Sequence, residues 1–355
     1  MAKILIKNGR VWDGERFLYS DVLTDGEYVT RIGKNIECDG AIVFDASGMM
    51  VSAGLVDVHT HLRVLPTDRY GMQAEMCAFP FGVTAAADAG RADGEPSVYD
   101  AFMLKSLVFV SVQIKDNTPD LISAEIAIEK YKKRVCGLKV YFDVASSEVR
   151  DVTPLVEICE MAHSRGLRVM VHCTGSPIPM SDILETLGEG DILTHAFHGG
   201  VNNASDDGYE SMRMAQRRGV VIDTGFAGYV HTDFAVFDGA IKSGIVPDTI
   251  STDITKLSAY VRGGRYGMTL AMSLARGAGM SEDCIFRCVT HNAAAALGKD
   301  VEWGTLREGG RADIAVLSYT DEGYDMTDAA GNRVKSDVGY RCMLTIADGQ
   351  IVYKY

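Results

Sequence analysis

No Lys/Arg-rich run longer than Lys132-Lys133-Arg134 occurs in the 355 residues, and the formal net charge is −13. A nucleic-acid binder gains affinity by neutralising phosphates with clustered basic side chains, so nucleic acid is not an expected partner. No apolar run reaches the roughly 18 residues needed to cross a bilayer, so a membrane partner is not expected either. The opening residues MAKILIKNGRVWDG break their short apolar run at Lys7 and Asn8, which is not the layout of a signal peptide. Eight cysteines, at 38, 77, 136, 159, 173, 284, 288 and 342, contain no C-x2-C pair. They read as free thiols of a reducing compartment, with Cys284 and Cys288 four apart on a helical stretch, and a cytoplasmic protein is expected. No G-x-G-x-x-G follows a strand-like segment, which leaves a dinucleotide site without support. Solenoid repeats and low-complexity tracts are missing as well.

What is present is an ordinary globular composition, 47% apolar and 23% charged. The two ends resemble each other. Residues 1–52 and 302–355 alternate apolar and polar positions between Gly and Asp turns, which reads as short strands. Residues 53–301 repeat a short apolar strand followed by a helical stretch. The strands are LVDVH (55–59), VTAAAD (83–88), LVFVSVQI (107–114), GLKVYF (137–142), RVMVHC (168–173), DILTH (191–195), VVIDTG (220–225) and TISTD (249–253). Helical patterns such as DLISAEIAIEKYKKR and VTPLVEICEMAHSRG lie between them, the second opening at Thr153-Pro154 and stopping at Gly166. Eight such alternations over about 250 residues are the size of a (β/α)8 barrel. The expected fold is therefore α/β: a TIM barrel over 53–301, with a small β-sandwich domain built from both termini.

The chemistry begins at Asp57-Val58-His59-Thr60-His61. Residues i and i+2 of a strand share a face, so His59 and His61 can aim two imidazoles at one ion. Lys139, His172, His195 and Asp253 fall in or at the ends of other apolar strands. Ionisable groups there are costly to bury without partners, and a barrel gathers the C-terminal ends of its strands into one place. A metal site is expected.

These residues sit in segments that together resemble the amidohydrolase superfamily, in particular its dihydroorotase-like and deacetylase-type members. The segments are GLVDVHTH (54–61), GLKVYF, VMVH (169–172), DILTHAFHG (191–199), DTISTD (248–253), VTHNAAAALG (289–298) and GTLREGGRADIAVL (304–317), and they span nearly the whole chain. The resemblance implies two divalent metal ions, zinc foremost. His59, His61 and Asp253 would hold one ion and His172 and His195 the other. Lys139, carboxylated by CO2, would bridge them. An ammonium has no lone pair to offer a cation, whereas a carbamate is an anionic ligand with two oxygens. Two ions would acidify a shared water, and Asp253 would take its proton and pass it to the leaving group.

The expected activity is hydrolysis of an amide, cyclic amide or acyl ester in a small, carboxylate-bearing substrate. Arg63, in H-T-H-L-R, resembles a dihydroorotase arginine that grips a carboxylate, for which its planar fork is suited. His198 and His231 follow strands six and seven, and Arg262 and Arg265 stand in the glycine-rich YVRGGRYG loop; all four are candidate substrate contacts. Gly263, Gly264 and Gly267 would let that loop act as a lid. A histidine of the deacetylase type after strand seven is replaced by Phe226, and DAGRADG after strand two lacks a dihydroorotase-like asparagine. His163 and His291 read as structural. A deaminase on the same barrel is the alternative, but it would pair a glutamate with a metal histidine, and none is adjacent here. A non-catalytic scaffold would have shed ligands that this chain keeps. The resemblance also implies a homo-oligomer.

Overall fold

In the computed structural model, residues 2–65, 67–91, 94–228, 230–261 and 266–355 are described. Arg262 and Arg265, with Gly263 and Gly264, lie outside them.

Five strands come first: β1 (Lys3–Trp12), β2 (Phe17–Asp25), β3 (Tyr28–Gly33), β4 (Ile42–Asp45) and β5 (Met50–Ala53). The middle of the chain supplies β6 (Leu55–Thr60), β7 (Val83–Arg91), β8 (Lys105–Val112), the small hairpin β9 (Ile114–Lys115) and β10 (Thr118–Pro119), β11 (Val135–Tyr141), β12 (Arg168–His172), β13 (Ile192–Thr194) and β14 (Val221–Ile222). The last five are β15 (Ile314–Thr320), β16 (Tyr324–Thr327), β17 (Arg333–Ser336), β18 (Gly339–Ala347) and β19 (Gln350–Lys354).

Strands of both termini join in one eight-stranded sheet, ordered β19-β18-β15-β5-β1-β2-β3, with β4 also on β1. Hydrogen bonding thus makes a single sheet of what the sequence suggests as a sandwich. Its inward side chains, among them Ile4, Ile6, Val22, Val51, Ile314, Val316 and Ile346, make a core of their own.

β6, β7, β8, β11, β12, β13 and β14 pair in chain order, every pair parallel. The alternating strand–helix pattern requires this arrangement, because parallel neighbours need a crossover and helices supply it. Several crossover helices begin where the sequence supplies a start signal. Asp120 accepts from Ser123 N–H before Leu121–Tyr131, Pro154 stands in the first turn of Thr153–His163, and Asp233 accepts from Ala235 and Val236 N–H before Phe234–Lys242. The helices pack their apolar faces on the outside of the strands. Inside, Val56, Val58, Ala85, Ala87, Leu107, Phe109, Met170 and Ile192 form a separate cluster with Ala293, Ala294 and Leu297 from the region of the last helix, His291–Ala296.

The segment expected as an eighth strand, 249–253, is not a continuous strand. It closes the ring through two parallel bridges, Thr249 to Asp223 and Ile254 to Thr60, and through the Asp253 N–H donating to His59 O at 2.7 Å. The reason is local. Asp253 has φ 47°, outside the extended region, and the backbone N–H groups of Ser251 and Thr252 donate to side chains, Thr224 Oγ1 and Asp57 Oδ1. The domain is TIM-barrel-like, and its strand ends converge on one mouth. No helix among the described residues is long and apolar enough to cross a membrane. All eight cysteines are free thiols.

Phe109 is fully buried in the inner cluster. Phe109→Ala is expected to cost about 3–5 kcal/mol, because the cavity adds to the lost transfer free energy. A denaturant or thermal unfolding midpoint unchanged from wild type would contradict this packing.

Candidate metal centre

His59 and His61 leave the end of β6, Lys139 lies in β11, His172 ends β12, and His195 and Asp253 follow β13 and the bridging segment. All six predicted ligands come together. The ligand atoms of His59, His61 and Asp253 lie within 4.8 Å of one another, and so do those of His172, His195 and His231. His231 is the surprise, since the sequence places it in a loop as a substrate contact. Phe226 is buried against Phe237, with ring centroids 5.6 Å apart, and the chain delivers the imidazole of His231 into the cluster five residues later.

Hydrogen bonds decide which nitrogens face inward. The Nδ1 of His195 lies 2.7 Å from Gly225 O, which only accepts, so Nδ1 carries the proton and Nε2 is bare. His59 Nδ1 lies 2.9 Å from Thr194 Oγ1, and that hydroxyl donates to Asp223 Oδ2 at 2.7 Å. His59 is therefore the donor at Nδ1 and also presents a bare Nε2. Asp253 Oδ1 sits 2.8 Å from His61 Nε2 and 3.2 Å from His59 Nε2, yet it is buried and has no hydrogen-bond partner. Lone pairs that converge at such distances repel unless a cation lies among them. An ion about 2.0–2.1 Å from each donor in tetrahedral array needs neighbouring donors about 3.3 Å apart, and the observed separations are of that order. The donor set fits a divalent metal.

Burial, followed by the charge of Lys139, holds His59 and His172 well below the ordinary imidazole value, and His195 is lowered first by burial and then by His231. The rings are thus neutral and able to ligate. Lys139 is fully buried, with Nζ 3.4 Å from His59 Nε2. Burial brings its pKa down to about 8, with Asp253 and Asp223 opposing the shift.

Sequence reasoning missed the layer behind these groups. Asp223, wholly buried, accepts from the hydroxyls of Thr194 (2.7 Å), Thr249 (2.7 Å) and Ser251 (2.6 Å). Asp57 accepts from Thr252 Oγ1 at 2.6 Å, and burial raises its pKa to about 7. Asp57 was visible in the D-x-H-x-H run, but Thr194 and Asp223 carried no local signal, since their meaning lies in contacts across strands. Gly225 is required where it stands. A Cβ there would meet Thr194 Oγ1 at 2.4 Å and His195 Nδ1 at 2.5 Å. His195 and Asp253 both hold positive φ, 59° and 47°, an uncommon conformation that clusters at functional sites.

A cavity of about 460 Å³ opens on the cluster, walled by Tyr70, Tyr141, Asp143, Ser146 and Thr174 as well as the histidines and Asp253. Asp68 positions Tyr70 by accepting from the N–H groups of Tyr70 and Gly71, and Arg91 ties Asp68 to Asp88. Tyr70 meets His61 edge-on at 5.0 Å. Of the other predicted contacts, Arg262 and Arg265 lie outside the described residues, and Arg63 and His198 are not brought to this wall. Arg63 is half-buried, with Nε 3.5 Å from Leu65 O, and it is not among the residues lining the cavity. His198 is buried beside Gly199 O and also does not line it. A larger cavity, about 680 Å³, lies against Arg168, Val221 and Ala295 and touches none of the expected ligands. His163 there bonds Asp191, whose oxygens also accept from Val169 and Gly188 N–H, a structural arrangement as expected.

Comparison with known proteins agrees with this architecture. Residues 50–352 match the Amidohydrolase family. A deacetylase from Brucella anthropi is 27% identical over 338 residues, covering 88% of this chain and 83% of that protein. The solved structure of a dihydroorotase superposes with a TM-score of 0.87 at 22% identity, over 99% of this chain and 98% of the other. That of an adenine deaminase does so with a TM-score of 0.85 at 24% identity, over 100% of both. At those identities the two structures establish the fold alone. The chain belongs to the amidohydrolase family, a metal-dependent hydrolase acting on C–N bonds.

Thr194→Val would leave the His59 Nδ1–H without its acceptor. The expected result is a divalent-ion affinity about 10–100-fold lower, read by chelator competition; an unchanged affinity would remove Thr194 from the account. Ligation needs neutral imidazoles, and burial already keeps these neutral below the usual 6.5. Affinity is therefore expected to hold through that value and to fall only in more acid solution. A drop centred at the ordinary imidazole pKa would contradict it.

Proposed function

We propose that this chain is a binuclear amidohydrolase that opens an amide, cyclic amide or acyl ester bond of a small substrate. His59, His61 and Asp253 hold one divalent ion, zinc in the first instance, and His172 and His195 hold the other. Lys139, carboxylated by CO2, supplies the bridge. The observation that supports the reading best is the convergence of the bare His59 Nε2 and of His61 Nε2 on an Asp253 oxygen that has no hydrogen-bond partner. When bound, the ions supply Lewis acidity and a water acidic enough to react near neutral pH.

The chain's own groups do the rest. Asp253 carries a proton from that water to the leaving group, a role suited to a carboxylate held over the reacting atoms. Burial raises the pKa of Tyr70 and of Tyr141, so both phenols stay protonated and serve as donors to a substrate carbonyl. Thr174 Oγ1, buried at the wall without a partner, is available to the substrate as well. The lowered pKa of Lys139 keeps more of it as the free amine to which CO2 adds. A carboxylate-bearing substrate needs Arg63 to reach the mouth from the first loop, with Arg262, Arg265 and His198 as further contacts. The acids lining the cavity are Asp143 and Asp253, with no glutamate among the described residues, which favours hydrolysis over deamination. The barrel is residues 53–301, with 1–52 and 302–355 as its companion β-domain, in a cytoplasmic homo-oligomer.

N-acyl amino acids, dipeptides and cyclic imides are the panel on which turnover is expected. On any substrate so found, Asp253→Asn is expected to lower kcat by about 10²–10⁴-fold. Near-normal turnover by that variant would remove Asp253 from the proton-transfer role.

A further inference from the structure

We propose that His231 is itself a metal ligand, completing a three-histidine position with His172 and His195; the inference rests on the metal reading above. Its ring centroid lies 4.2 Å from that of His195 and 4.9 Å from that of His172, and one ring nitrogen from each of the three falls within 4.8 Å of the others. Among the described residues, no hydrogen bond orients this ring. Its Nδ1 is buried without a hydrogen-bond partner, and the nearest carboxylate oxygen, Asp253 Oδ2, is 3.9 Å from Nε2, too far for a hydrogen bond. Burying three imidazoles face to face, one of them with a nitrogen that has no partner, is costly, and a cation that accepts their lone pairs removes the cost.

The loop that carries His231 is tethered on both sides of it. Ala227 N–H donates to Thr252 O at 2.9 Å, and Asp233 N–H donates to Phe197 O at 2.9 Å. The ring is therefore held against the site by backbone bonds to the elements that carry Asp253 and His195. Three neutral imidazoles with an open position form the donor set of a catalytic zinc site. In the sequence-based reading His231 touches substrate, and that role would leave ion binding intact.

The test is titration of metal-free protein with Co(II), followed by its visible absorption and by equilibrium dialysis with elemental analysis. Wild type is compared with His231→Ala and His231→Gln, the second keeping a polar side chain should the first fail to fold. The expected result is a first ion bound as in wild type, a second ion bound at least about ten-fold more weakly, and an altered ligand-field spectrum. Two ions bound by both variants as tightly as by wild type would overturn the ligand role of His231 alone. A wild type that binds no ion would overturn the metal centre and this inference together.

Discussion

Asp253 Oδ1 is a buried, donorless oxygen facing the nitrogens of two histidines, and the site is organised around that repulsion. A fold can maintain lone pairs at such separations only if a cation joins them or if rigid surroundings prevent their parting. The surroundings here are rigid. His59 and His195 are each fixed by a proton on Nδ1, one to Thr194 and one to Gly225 O. Each imidazole is thus oriented by a group on a neighbouring element and cannot turn away.

The same groups bind the barrel together. The segment after β14 has too few backbone bridges to stand as a strand. Its place in the ring is secured by backbone bonds to both neighbours, such as Phe226 N–H to Ser251 O and Asp253 N–H to His59 O, and by hydroxyls on carboxylates: Thr249 and Ser251 on Asp223, and Thr252 on Asp57. Tyr266 adds its hydroxyl to Thr252 O. These bonds are buried, where a polar group left without its partner is costly. Barrel closure and the placing of Asp253 are therefore one structural event, with the positive φ at Asp253 held by its surroundings.

Most of this was legible in the sequence, for identifiable reasons. Short apolar strands separated by helical stretches pointed to the barrel, and ligand-type residues in and at the ends of those strands pointed to His59, His61, Lys139, His172, His195 and Asp253. These signals are local, and the resemblance organised them. What escaped depends on contacts between distant segments. Thr194 and Asp223 look like ordinary strand residues until their hydroxyl–carboxylate bond is seen. His231 looks like a loop histidine until the chain folds it over His195. TISTD looks like a strand because its composition is β-rich, but the backbone N–H groups of Ser251 and Thr252 go to the side chains of Thr224 and Asp57 and not to a ladder. The terminal strands were recognised, while their joining into one sheet turns on β1 pairing with β2, β4 and β5 at once.

The central claim is that the cluster exists to hold cations. Elemental analysis of the protein purified without chelators tests it most directly. The account predicts about two equivalents of divalent metal per chain, lost on dialysis against a strong chelator at a cost in thermal stability, because an ion that binds only the folded state stabilises it. Protein that carries no metal, takes up none from solution and melts at the same temperature with and without chelator would contradict it.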